Sequence, residues 1–117
     1  MADFNVNLRG VGSVSVIDVK GYLDAHTAPE LENMFSKLIT DKQFKVVVNF
    51  DQLNYISSAG LGVFMAFVEQ MRDNQGDIKF SNMNDSVYNI FDLLGFPVLY
   101  EFYKDEKEAV NKFSNLS

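Results

Sequence analysis

The sequence predicts a single α/β domain over residues 1–117, with a mixed sheet of four to five strands packed against about four helices. Three observations carry this. Segments of alternating or β-branched apolar residues interleave with segments of helical period, turn and cap residues stand at most changeovers, and no linker, repeat or low-complexity stretch divides the chain. Eleven Phe and five Tyr within a hydrophobic fraction of 47% supply enough apolar surface for one core.

Phe4, Val6 and Leu8 alternate with polar residues, Gly10 to Gly12 supply turn chemistry, and Val14, Val16 and Val19 resume an extended run, so the chain opens as a β-hairpin. Thr27 with Glu30 three residues later, and Pro29 between them, predicts a helix start with a reciprocal capping box. Leu31, Met34, Phe35, Leu38 and Ile39 then recur at helical spacing as one apolar stripe. Phe44 to Phe50 contains Val46-Val47-Val48, the β-branched run of a central strand covered on at least one face. A loop holding Asp51, Asn54, Ser57 and Ser58 is expected next. From Ala59 to Arg72, Leu61, Phe64, Met65, Val68 and Met71 return to helical spacing. Gly76 and Asp77 turn the chain into a short strand, Ile78 to Ser81. Asn84 or Asp85 then caps a helix carrying Val87, Ile90, Phe91 and Leu94, which Gly95 and Pro97 end. Val98 to Tyr103 reads as extended. Asp105 to Phe113 closes the chain as a helix with acids first and Lys112 last, in the sense that suits the helix dipole. The expected order is ββαβαβαβα.

Charge and composition narrow the function. A formal net charge of -6 repels a nucleic-acid backbone or an anionic membrane surface, so neither is an expected partner. The absence of cysteine removes disulfides, thiolate metal sites and cysteine nucleophiles. Met1 to Leu8 lack the basic start and apolar block of a signal peptide, and the longest apolar run, Leu61 to Val68, is too short to span a bilayer. A soluble, cytoplasmic domain is the expectation.

The stretch richest in chemical information runs from Asn49 to Val63, where a strand leads through Ser57-Ser58 into a helix. Ser57 is placed to be the N-cap. Ser58 then falls in the first turn, among N–H groups without intrahelical partners and beside the positive end of the dipole. An anion is favoured there, and a phosphate on Ser58 would add roughly -1.5 to -2 charges at neutral pH. The same pair also reads simply as a cap with its neighbour.

Ile56-Ser57-Ser58-Ala59-Gly60-Leu61-Gly62-Val63 resembles the signature around the phosphorylated serine of STAS-domain anti-sigma factor antagonists. Gly21-Tyr22-Leu23-Asp24-Ala25-His26-Thr27-Ala28-Pro29 resembles that family's second landmark, and Asn89 to Gly95 looks like its third helix and glycine stop. The resemblance covers nearly the whole chain as one STAS domain. It implies a partner-switching cycle: the unmodified antagonist binds an anti-sigma factor with serine kinase activity and so frees the sigma factor. Phosphorylation by that kinase ends the association, and a metal-dependent serine phosphatase restores the binding form. By position it assigns Ser58 as the phosphorylated residue and Asp24 as the acidic residue beside it. His26, Thr27, Ser57, Ala59, Gly60, Leu61 and Gly62 belong to the same partner-binding region. The chain departs from the pattern at Ser57, where many antagonists carry aspartate, and at Ala59, where a second serine is frequent.

Val63 and Phe67 lie off the main stripe of the second helix, which means either a deeply sunk helix or an exposed patch. Tyr22 and Tyr55 fit an interface edge as well as a core rim. A hydrolase built on Ser58 and His26 is disfavoured, since the G-x-S-x-G elbow and an oxyanion motif are missing and a helix start alone does not activate a hydroxyl. Gly60-Leu61-Gly62 has neither nucleotide-loop spacing, and one histidine with scattered acids does not make a metal site. No catalysis and no cofactor are expected. The competing function is that of a STAS assembly subunit in a transporter-associated or stress-sensing complex with no sigma-factor role.

Overall fold

β1 (Phe4–Val11) and β2 (Val14–Leu23) pair antiparallel in unbroken register, from Phe4↔Gly21 to Val11↔Val14. Of the two residues in their turn, Gly12 alone takes a positive φ, 61°, the pattern of a type II′ hairpin. The computed structural model describes residues 4–95 and 100–114. The chain continues through α1 (Ala28–Thr40), β3 (Lys45–Ile56), α2 (Ser58–Asp73), β4 (Asp77–Ser81), α3 (Asp85–Leu93), β5 (Phe102–Tyr103) and α4 (Glu106–Ser114). This is the predicted order. The strands lie side by side as β1-β2-β3-β4-β5, and every pair after the hairpin is parallel, with a helix in each crossover.

Val46, Val47 and Val48 are all fully buried because β3 is covered on both faces. On one side Ile17, Val46, Val48, Ile78 and Phe80 meet Leu31, Phe35, Leu38, Leu61, Phe64, Met71, Val87 and Phe91 of α1, α2 and α3. On the other, Val14, Val16 and Val47 lie under Ala109 and Phe113 of α4. Phe80 sits among aromatic neighbours, with the rings of Phe50, Phe64 and Phe91 at 5.2, 5.0 and 5.4 Å in edge-on contact. Val63 is buried and Phe67 stacks on Phe35 at 5.2 Å, so α2 is sunk deeply into the core. Met65, part of the predicted stripe, is instead 54% exposed.

Two predicted boundaries are corrected. β3 does not end at Phe50 but runs to Ile56, so Asp51 and Asn54 lie in strand and not in a loop. Its buried residues beyond Val48 are Phe50, Leu53 and Ile56, a spacing of three that neither simple period matches. Register shifts against β2 between Asp18 and Lys20 and between Gly21 and Tyr22 produce it, as β-bulges do. At the other edge, among the described residues, strand is confined to Phe102–Tyr103, and the Tyr100 ring before it stacks on Phe80 at 4.9 Å. Val98, Leu99 and Pro97 lie outside the described residues.

Polar ties fix α4 to its face. Arg9 donates to Asp18 at 2.6 and 2.8 Å and also to Glu106, which accepts from Asn49 at 3.0 Å. These hydrogen bonds from Arg9 hold the Asp18 and Glu106 carboxyls below the ordinary carboxylate range. Buried Lys79 donates to Asp77 at 3.3 Å and Glu101 at 2.9 Å, with its ammonium 4.8 Å from the Phe113 ring centroid.

Candidate functional site

The carboxyl ends of β2 and β3 deliver two loops to the same end of the sheet. In the first, Asp24 Oδ1 accepts from the backbone N–H of His26 at 2.9 Å and of Thr27 at 3.1 Å, an Asx turn that shapes residues 24–27. Thr27 Oγ1 donates to Tyr22 O at 2.8 Å and accepts from Asp24 N at 2.9 Å. The capping box predicted for Thr27 and Glu30 is therefore absent. Thr27 is the N-cap residue by position, but its backbone is already in the helical region (φ -99°, ψ -14°) and its hydroxyl makes no cap bond.

The second loop is a tight junction. Ser57 is extended (φ -100°, ψ 171°), and its Oγ accepts from Gly60 N at 3.3 Å, so it is the N-cap of α2 as expected. Its own N–H donates to Leu23 O at 2.9 Å, which stitches the start of α2 to the end of β2. Gly60 makes this approach possible. A Cβ there would lie 2.7 Å from Leu23 Cγ and 3.1 Å from Leu23 O, whereas one at Gly62 would meet nothing within 4 Å. Glycine is required at 60 by contact and not at 62.

Ser58 is the first residue of α2 and is exposed. Its hydroxyl makes no hydrogen bond to another described residue, because the cap is already supplied by Ser57. The predicted region separates into two groups. His26, Ser58 and Ala59 are exposed, and Asp24, Ser57 and Gly62 are half-buried. Thr27 (3% exposed), Gly60 and Leu61 are buried, so they shape the two loops from beneath and offer no contact area. This corrects the placing of Thr27 on the surface beside His26. Its hydroxyl is spent on the backbone of β2 and the turn.

By sequence Tyr22 and Tyr55 fit an interface edge and a core rim equally. They face each other across β2 and β3, 46% and 44% exposed, with ring centroids 6.2 Å apart. The pair stands just before Asp24 on one strand and just before Ser57-Ser58 on the other. Each is a polar-tipped aromatic in the position such residues take at interface rims. Their pairing could not be read without the β2–β3 register, which the bulges shift. Among the described residues no three His, Asp or Glu side chains converge as metal ligands, and no hydrogen bond joins the His26 ring to Ser58.

The fold and this end of the sheet define a class: a small α/β domain that presents a serine at a rigid helix start, with aromatic residues alongside. The chain belongs to the STAS domain family, whose model matches residues 5–109. It is 27% identical over 93 residues to the anti-sigma-B factor antagonist of Staphylococcus aureus, covering 78% of this chain and 86% of that one. An anti-sigma factor antagonist from Mycobacterium paratuberculosis superposes with a TM-score of 0.87 at 20% identity, over 96% of this chain and 95% of that one. The antagonist SpoIIAA in its unphosphorylated form superposes at 0.83 with 21% identity, over 97% and 99% of the two chains. The phosphorylated form of Bacillus SpoIIAA does so at 0.70 with 20% identity, over 94% and 98%.

Proposed function

We propose that this chain is an anti-sigma factor antagonist that works as a phosphorylation-controlled binding switch. In its unmodified form the surface of Ser58, Ala59, His26 and Asp24, flanked by Tyr22 and Tyr55, docks on an anti-sigma factor with serine kinase activity and so releases the sigma factor. That kinase phosphorylates Ser58 and the complex parts. A metal-dependent serine phosphatase returns the chain to the binding form, and the cycle runs in the cytoplasm. The chain itself catalyses nothing in this scheme.

One observation carries the reading: the Ser58 hydroxyl is exposed at the start of α2 and has no structural duty, since Ser57 caps the helix. A phosphate can be added there without breaking any bond of the fold, and it gains the N–H groups and positive dipole end of the helix. What it disrupts is the complex. An unpaired charge buried against a partner costs about 3–5 kcal/mol, or roughly a thousandfold in affinity. The names of the relatives support the same assignment, and the likeness to SpoIIAA in both its unphosphorylated and its phosphorylated form is consistent with a fold that survives the modification.

The test is incubation with ATP and each candidate anti-sigma kinase of the native host, followed by mass spectrometry and gel filtration. The expected result is one phosphate, on Ser58, with loss of the complex. No phosphorylation by any of these kinases, with no complex formed by the unmodified chain, overturns the proposal in favour of an assembly role.

A further inference from the structure

We infer that β1 is a self-association edge: two copies of this chain join their β1 strands antiparallel about a two-fold axis at Asn7, continuing one sheet across the dimer. The two edges of the sheet differ sharply. β5 is two residues long and is followed by Lys104, a short edge guarded by charge. β1 is eight residues long, with no proline, no lysine and no bulge in its pairing with β2. Its one charge, Arg9, is already held by Asp18 and Glu106. Beyond Arg9, the strand itself carries none of the proline, lysine or bulge devices that usually protect a long edge.

The sequence of β1 is complementary to itself. In the II′ hairpin Val11 and Val14 form a hydrogen-bonded pair, and the alternation along an antiparallel ladder then leaves the backbone groups of Phe4, Val6, Leu8 and Gly10 pointing outward. Centring two such edges on Asn7 sets these four opposite Gly10, Leu8, Val6 and Phe4 of the second copy. Phe4, Val6 and Leu8 are half-buried against the core on the helix side, and the second copy covers the remainder. Gly10 leaves open space for the facing phenyl ring. On the other face Asn7 meets Asn7 and Asn5 meets the neutralised Arg9, so no like charges oppose. A second copy fits this edge better than an arbitrary extended segment, because both faces match under the two-fold. The antiparallel arrangement sends the two Ser58 ends to opposite ends of the dimer, so the inference does not depend on how that site is used.

A strand-edge contact buries less than the roughly 1,200 Å² of a standard interface, so a weak, concentration-dependent association is expected. Sedimentation velocity over a range of chain concentrations, with amide hydrogen exchange at the two extremes, tests this. The wild type should move from monomer to dimer as concentration rises, with slowed exchange at the Val6 and Leu8 amides. Val6→Pro removes an outward donor that β2 does not use, and Asn7→Lys opposes two charges across the axis. Each should weaken association by about tenfold or more, while circular dichroism shows both folded. Asn7→Thr, neutral and strand-compatible, should leave it intact. A chain that stays monomeric throughout overturns the inference. So does a dimer that both variants leave unchanged, or Val6 and Leu8 protection that appears only when a different protein is added.

Discussion

Replacing Gly60 by alanine tests how tightly α2 is seated on the end of β2. The new methyl would stand 2.7 Å from Leu23 Cγ and 3.1 Å from both Ile56 Cγ1 and Leu23 O. Leu23 and Ile56 are 0% and 1% exposed and cannot withdraw, so α2 must shift and stretch the 2.9 Å bond from Ser57 N to Leu23 O. Overpacking of this kind costs about 1–3 kcal/mol, here about 2–3 because three contacts, one of them to a backbone oxygen, fall at 3.1 Å or less, and the better helix propensity of alanine returns about 1 kcal/mol. The net loss is about 1–2 kcal/mol, which lowers the urea midpoint by roughly 0.5–1 M. Gly62 supplies the control two residues further along the same helix. A methyl there touches nothing within 4 Å, so Gly62→Ala should gain about 0.5–1 kcal/mol from propensity and unfolded-state entropy. Urea unfolding followed by circular dichroism measures both. A Gly60→Ala protein as stable as the wild type, or two substitutions of the same sign, refutes the close stitching of the two loops.

Three further expectations follow from the same geometry. Ser57→Ala should cost about 0.5–2 kcal/mol through loss of the cap, whereas Ser58→Ala should stay within about 0.5 kcal/mol of wild type; equal losses in thermal unfolding would show that Ser58 has a structural role. Thr27→Val removes a buried hydroxyl and strands Tyr22 O and Asp24 N, so a loss of about 1–3 kcal/mol is expected, and an unchanged unfolding midpoint would contradict the bridge. Arg9→Met removes the groups that depress the Asp18 and Glu106 carboxyls. Because the folded values lie below the unfolded ones, that stabilisation stands above about pH 4 and is lost as pH falls through the folded values. With Arg9 partly exposed, the variant should be weaker by only about 1 kcal/mol near neutrality, and the gap should close in acid; a gap independent of pH would mean the ion pairs contribute nothing.

Much of this domain is legible because local chemistry and tertiary role coincide. The Ser57 cap, the Asn84 cap on Val87 N at 2.8 Å and the Val46–Val48 run each name their element without help from distant residues. Where a residue has two local options, sequence does not choose between them. Thr27 could cap forward or bridge backward, and only the position of Tyr22 O decides. The length of β3 does not follow from periodicity because β3 carries an extra residue at each of two bulges against β2, which changes which of its residues point inward, so Leu53 and Ile56 break the alternation. The ties of Arg9 to Glu106 and of Lys79 to Glu101 span too much of the chain to leave any periodic trace. At the site, the serines and Asp24 were readable from motif, while the burial of Thr27 and the pairing of Tyr22 with Tyr55 needed the register.

The most direct test compares the chain before and after stoichiometric phosphorylation at position 58, by amide-resolved NMR and by calorimetric titration with its anti-sigma partner. The expected result is a set of amide shifts confined to the start of α2 and the adjoining loops, together with roughly a thousandfold loss of affinity. Undiminished binding by the phosphorylated chain, or a spectrum altered throughout the sheet, would contradict a switch that acts by blocking an interface on an unchanged fold.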